Sequence, residues 1–461
     1  MGHEEGRLIL VAGLLLALGL VASLLAGRLR IPGLVLFLGV GMLVGSDGLH
    51  LIEFSNYELA RTIGIIALAL ILFEGGLAAG LPEIRPVLGS ALSLATLGTL
   101  ITAVVTGLVA FWLLDITLLQ GMLVGAIVSA TDGAAIFALL RGSTLKRRLA
   151  RTLEGEAGMN DPVAVLLVLG FIEWIQSPDY GVLDMVALFV EQLGIGTLVG
   201  VGVGWLAVQA FRRARLATGG LYPVASLAVV AVAFGLADVL HGSGFMAVYL
   251  AGLAMGSANL PARQTVHVFH DGLAWVAQLA MFLTLGLLVF PHELDGFALQ
   301  GTLIAFVLVF VARPLAVTVA TAFAPLGLGD RLVLGWAGLR GAVPVVLATF
   351  PILEGIPDSE DFFNIAFFAV LVSTLLQGST FEPLARWLGV TTEEPALPRP
   401  LVEVGSIRQL GADVVEVPIA EGDAAIGVRV RDLGLPRDAL VSLIVRGNEA
   451  LLPRGSTRLE A

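Results

Sequence analysis

The sequence contains no cysteine, so disulfides, thiolate metal sites and cysteine nucleophiles are excluded. It is poor in charge: 14% of residues are charged, where a soluble domain carries roughly 25%. No basic segment precedes the first apolar run. Glu4 and Glu5 stand there instead, so that run reads as a retained span and not a cleaved leader. There is no HExxH, no phosphate-binding loop and no GxGxxG followed at the right distance by an acid. A formal net charge of −11 argues against a nucleic-acid partner. What is present is apolar. Hydrophobic residues make up 57% of the 461, and the mean hydropathy is +0.94. Continuous apolar runs recur to about residue 390, each long enough to cross a bilayer as a helix. Barrel strands alternate instead, so the fold class is an all-α polytopic membrane protein.

Turn signals separate thirteen candidate spans: 7–27, 31–49, 58–79, 88–114, 118–140, 152–176, 182–211, 221–240, 243–259, 271–290, 296–324, 331–353 and 362–388. Basic residues follow odd-numbered spans (Arg28 and Arg30; Arg85; Arg141 through Arg151; Arg212, Arg213 and Arg215; Arg263; Arg331; Arg386). Connections after even-numbered spans are acidic or neutral, as at Asp47, Asp115, Asp179, Glu293, Asp295 and Asp358. This alternation predicts an N-terminus outside and a C-terminus in the cytoplasm of a plasma (inner) membrane. Residues 1–390 form the membrane domain. After the linker at Pro395–Pro400, residues 401–461 read as a small α/β module, with strands at Ala412–Ile419 and Ala439–Arg446 and a turn at Gly447–Asn448.

Charges inside apolar spans are costly and mark function or pairing. Here they are Glu74, Asp132, Glu156, Asp161, Arg313 and Arg340. Any one of them can also be half of an ion pair that fixes packing, and for Glu156 and Arg313 that reading stands beside the functional one. Span 5 is interrupted at Ser129-Ala130-Thr131-Asp132-Gly133 and span 12 at Gly338-Leu339-Arg340-Gly341. Each is fifth in a set of six spans, the mark of an inverted repeat with two broken, crossing helices. Asp132 is placed to offset the N-terminal dipoles of the half-helices, and Arg340 the C-terminal ones. In span 6, Glu156 and Asn160 share a helix face, Asp161 follows, and Pro162 leaves the Gly158 carbonyl without its helical donor. These are hard oxygen ligands suited to Na⁺, K⁺ or H⁺. Burial favours the protonated form of a carboxyl and a bound cation favours the charged form. Competition between proton and monovalent cation at one carboxylate, with Asp161 the candidate, is therefore a complete exchange mechanism if the site faces each side in turn.

Thr131-Asp132, Glu156 through Asn160-Asp161, Ala312-Arg313-Pro314 and Gly338 through Val343 resemble, in order and spacing, the NhaP-type sodium–proton exchangers of the monovalent cation:proton antiporter superfamily. The resemblance covers about residues 7–390. It implies a homodimer in lipid, an ion site where spans 5 and 6 meet, Asn160 as the neutral neighbour of Asp161, Thr131 as a ligand, Glu74 as a lining or supporting group, and a Glu156–Arg313 pair. An Asn-Asp pair implies electroneutral exchange. One departure stands out: Ala157 occupies the place of the family's usual Ser, which removes a ligand and suits a looser site or K⁺ over Na⁺. Val428 through Ala461 resembles a TrkA-C (RCK-C) regulatory module, which implies potassium transport and regulation by a small ligand. That motif usually runs on further, so the resemblance implies a partial module here; a simple stability cap is the other reading.

No cofactor is expected, and the protein is expected not to be an enzyme. A cation channel would need a continuous polar pore, which these spans do not offer. An intramembrane aspartyl hydrolase using Asp132 and Asp161 would leave Arg313, Arg340 and the repeat unexplained. His267 and His270 are expected at a solvated helix end.

Overall fold

The computed structural model describes residues 4–29, 33–133, 135–136, 144–213, 216, 218–294, 296–392, 417, 419, 423, 425–435, 439–446 and 449–460. It divides into two compact units, Met1–Leu397 and Pro398–Ala461.

In the first unit, apolar helices lie in each of the thirteen windows. We number them α1 (Glu4–Leu29), α2 (Gly33–Val44), α3 (Tyr57–Ala79), α4 (Leu81–Leu114), α5 (Leu118–Ile127), α6 (Arg147–Gln176), α7 (Val182–Arg213), α8 (Leu221–Val239), α9 (Gly244–Gly256), α10 (Arg263–Leu287), α11 (Ala298–Ala320), α12 (Leu328–Trp336), α13 (Ala342–Leu353) and α14 (Ser359–Trp387). Among the described residues, eight of these are long and apolar enough to cross a membrane by themselves; α2, α5, α9 and α13 are among the shorter ones. Polar caps set several starts. Asn56 Oδ1 accepts from the Leu59 amide, Thr117 and Gln120 form a capping box on α5, and Ser243 caps α9. Leucines such as Leu183 and Leu198 on α7 are left exposed, as a lipid-facing surface requires.

Beside a large apolar cluster that draws on most of the helices, two smaller ones stand out. One joins α3, α7, α8, α9 and α10 around Phe73, Phe211, Ala247 and Met255. Its helices meet at glycines: a Cβ on Gly76 would lie 2.4 Å from the Tyr249 carbonyl, and one on Gly200 2.6 Å from that of Ala247. Without a hydrophobic force between helices in lipid, such close approach supplies the packing. The other joins α4, α6, α11, α12 and α14 around Leu94, Leu153, Val317, Leu334 and Phe381. Inside it, α4 and α11 each carry a π-helical turn, at Leu94–Gly98 and Leu308–Ala312. Both helices are fourth in their set of six spans, so the irregularities repeat along with the helix order. The second π turn sets Arg313 at the start of the segment that follows it.

Several expectations are corrected. His270 is not at a solvated end: it is buried, its Nε2 lies 2.8 Å from Ser226 Oγ of α8, and its ring packs 4.8 Å from that of Phe73. The sequence pattern missed this because α8 and α3 cover a helix face that looks polar in isolation. In the second unit a strand covers only Ile444–Arg446, not Ala439–Arg446, and pairs antiparallel with Glu449–Leu451 (Ile444 opposite Leu451). The segment at Gly427–Arg431 pairs with Gly455–Leu459 through four backbone bonds, including Gly427 N–H to Leu459 O at 2.8 Å. The Ala412–Ile419 strand, apart from Val417 and Ile419, the Gly447–Asn448 turn and the linker, together with Arg30, Arg141, Arg215 and Asp295, lie outside the described residues.

Candidate ion site

Two helices stop at membrane depth. α5 ends at Ile127 and helical backbone resumes at Gly133; α12 ends at Trp336 and α13 begins at Ala342. The two breaks touch. The Asp132 amide donates to the Leu339 carbonyl at 2.9 Å. Each break leaves orphan amides and carbonyls that lipid cannot satisfy, and the charged residues of the breaks serve them. Asp132 Oδ1 accepts from the Ala135 amide at 3.2 Å, capping the half-helix that starts there. Its carboxylate also lies against Gly341, the residue before α13. Arg340 Nη1 donates to the Ser129 carbonyl at 2.8 Å, at the C-terminal end of the first half of α5. Negative charge thus meets two helix N-termini and positive charge meets a C-terminus.

The unwound stretch 337–341 also has partners that the sequence reading passed over. On α14, Thr374 Oγ1 donates to the Arg340 carbonyl at 2.5 Å, the Arg340 amide donates to Ser373 Oγ at 3.3 Å, and Gln377 Nε2 donates to the Trp336 carbonyl at 3.0 Å. The signal was available: three polar side chains at i, i+1 and i+4 within an apolar helix are costly unless they have something to bind.

Gly341 is fixed by contact. A Cβ there would stand 1.5 Å from Asp132 Oδ2 and 2.3 Å from its Cγ, whereas at Gly335 the nearest atom is 3.7 Å away. Gly341→Ala therefore forces the two breaks apart. The expected result is a loss of about 2 kcal/mol or more of stability together with most of the transport, while Gly335→Ala leaves both near the parent. Thermal melting and flux assays of the pair check this; a parent-like Gly341→Ala variant would refute the tight crossing.

Beside the crossing, α6 presents its polar turn. Glu156, Asn160 and Asp161 are all at most 1% exposed. Glu156 is held by Arg313, with Nη1 to Oε1 at 2.5 Å and Nη2 to Oε2 at 2.9 Å, a bidentate pair whose Nη2 also reaches the Leu334 carbonyl at 3.3 Å. Asn160 Nδ2 donates to Thr131 Oγ1 across to the break in α5. Asp161 Oδ1 and Asn160 Oδ1 are both buried and, among the described residues, without a hydrogen-bond partner. Asp132 and Arg340 are the charged groups whose fields reach Asp161. Two enclosed oxygens with unused lone pairs, one on a carboxylate and one on an amide, form a donor set for an alkali cation or a proton. Ala157 offers no ligand: it packs among apolar residues with Val317 and Leu334. Glu74 lies half-buried on α3, the turn before Gly76 meets α9. Among the described residues no three His, Asp or Glu side chains gather as a multivalent metal would need.

The chain as a whole is similar to known proteins. Residues 13–387 match the family described as sodium/hydrogen exchanger, transmembrane, and residues 414–461 match the TrkA-C domain. The chain is 41% identical over 453 residues to a protein of Alkalimonas amylolytica named K(+)/H(+) antiporter NhaP, covering 97% of this chain and 78% of that one. It is 39% identical over 455 residues to the K(+)/H(+) antiporter NhaP2 of Shewanella oneidensis, covering 98% and 79%. Its fold matches the solved structure of the sodium proton antiporter MjNhaP1 from Methanocaldococcus jannaschii with a TM-score of 0.71 at 24% identity, over 82% of this chain and 98% of that one.

Proposed function

The chain belongs to the sodium/hydrogen exchanger family, a family of transporters, and from that premise we propose that it is a secondary antiporter exchanging K⁺ or Na⁺ for H⁺ by competition at Asp161. The observation that carries this is the enclosed Asp161 Oδ1 beside the equally unpartnered Asn160 Oδ1, at the crossing of two broken helices. In an apolar enclosure a bare carboxylate is unstable, so it must hold either a proton or a cation. Each exclusive choice, made once on each side of the membrane, moves one cation against one proton.

The surrounding groups divide the work. Asn160 adds an amide oxygen without charge, and its bond to Thr131 ties α6 to the break in α5. Thr131 and Glu74 complete or support the ligand set. Glu156 is neutralised by Arg313 and Asp132 faces helix dipoles, so Asp161 alone changes its load and exchange is electroneutral. The backbone bond and side-chain caps at the crossing let the site turn from one side to the other without exposing orphan amides to lipid. A K⁺ preference is supported by Ala157 in the position where a hydroxyl would tighten the site, by the TrkA-C module, and by the names of the two K(+)/H(+) antiporter relatives. The reading is completed by a homodimer in the inner membrane, with the C-terminal module on the cytoplasmic side and open to regulation by a small ligand.

Dequenching of a pH-sensitive dye in proteoliposomes tests this. Addition of K⁺, and more weakly of Na⁺ or Li⁺, should collapse an imposed pH gradient. The rate should not change when the membrane potential is clamped with a protonophore-free K⁺ ionophore. Cation flux that proceeds equally well without a counterflow of protons would indicate a channel and overturn the reading.

A further inference from the structure

Glu154 lies seven residues before Asp161 on α6 and is 3% exposed. Residues 154, 158 and 161 are spaced i, i+4 and i+7, so they form one stripe along the helix. The middle position is Gly158, and the ring of Tyr249 from α9 fills the space its missing side chain leaves: a Cβ there would be 2.1 Å from Tyr249 Cε2. The Tyr249 hydroxyl is buried and, among the described residues, has no hydrogen-bond partner. Glu154 is the charged group whose field reaches that phenol. Because α9 also packs with α3 and α7, the ring ties that cluster to α6 at the Gly158 notch.

Glu154 itself is bound by Arg151, whose Nη1 lies 2.6 Å from Glu154 Oε2. Arg151 has a second carboxylate in reach, since its Nε lies 3.2 Å from Glu83 Oε2. Glu83 in turn binds the exposed Arg147 at 2.7 Å. The four charges run from the surface inward as Arg147, Glu83, Arg151, Glu154. A cation arriving at Glu154 would replace Arg151 there, and Arg151 would keep Glu83. No buried charge is left unpaired by that swap, which is the condition for an easily reversed exchange.

We propose that Glu154 is a second and transient binding station for the alkali cation, on the route between the Arg147 end of α6 and Asp161, with the buried Tyr249 hydroxyl as a further oxygen on that route. Arg151 is the built-in competitor for that station, and the Tyr249 ring in the Gly158 notch is the step between the station and the central site. The inference rests on Asp161 being the carrier carboxylate.

The competitor makes the test sharp, because a station and a structural ion pair predict different signs. The full chain is reconstituted in vesicles of defined orientation, and the apparent KM for K⁺ is measured from each face in turn, with melting temperature recorded for every variant. Glu154→Gln removes the station and should raise KM about tenfold at the face where Arg147 lies, and leave it in place at the opposite face. Arg151→Gln removes the competitor and should lower KM at that same face by about threefold. Variants that shift KM in the same direction, shift it equally at both faces, or do not shift it overturn the proposal and leave an ion pair that only ties α4 to α6. If Glu154→Gln does not fold, the sign of the Arg151→Gln shift decides alone. Absence of any K⁺-dependent proton flux in the parent chain would instead be a failure of the antiporter reading.

Discussion

Asp161→Asn abolishes exchange and leaves a folded protein. The substitution keeps shape and hydrogen-bonding capacity but removes the only group proposed to alternate between proton and cation. A cation in a dry site loses the opposite charge at contact distance, so flux should fall on the order of 100-fold or more. Stability should not fall. Asp161 Oδ1 has no partner to lose among the described residues, and a neutral amide is cheaper to bury than a carboxylate. Dye dequenching in proteoliposomes reads the first effect and the melting temperature in detergent reads the second. A variant that exchanges K⁺ at the parent rate would remove Asp161 from the mechanism, and one that is inactive because it is unfolded would show it in the melting curve.

Glu156→Ala has the opposite profile. It leaves Arg313, 2% exposed, without the carboxylate that holds both its terminal nitrogens. Breaking a buried pair from one side costs about 3–5 kcal/mol, because the remaining charge is still out of water. The expected result is a steep drop in melting temperature and in the yield of folded protein, before any question of transport arises. The double variant Glu156→Ala, Arg313→Met should recover part of the loss, since no charge is then stranded. A well-expressed Glu156→Ala variant with an unchanged melting temperature would show that the pair contributes little. Together the two substitutions separate a carboxylate that works from one that holds.

Much of this was legible in the sequence. Span windows, the two interruptions and the acidic turn of span 6 follow from rules that act along the chain. Apolar length sets where helices lie, glycine and polar residues set where they break, and i, i+4 spacing sets which side chains share a face. The Glu156–Arg313 contact agrees with what the family resemblance implied, although 157 residues separate the two. His270, by contrast, was misread, and Ser373, Thr374, Gln377, Glu154 and Tyr249 were passed over. Each of these owes its meaning to a neighbouring helix. Glu154 is ordinary on its own helix and becomes a candidate only because Tyr249 fills the notch at Gly158, which local spacing cannot reveal.

The order of residues alone settled that this is a helical membrane protein with a few charges inside its spans, because burying charge in lipid is so costly that every instance stands out. Which oxygen atoms around Asp161 are left unsatisfied, which glycine must stay bare against Asp132, and which polar side chains close the breaks were decided by the packing of helices far apart in the chain. Those are facts about a few ångströms of separation, and only the tertiary structure sets them.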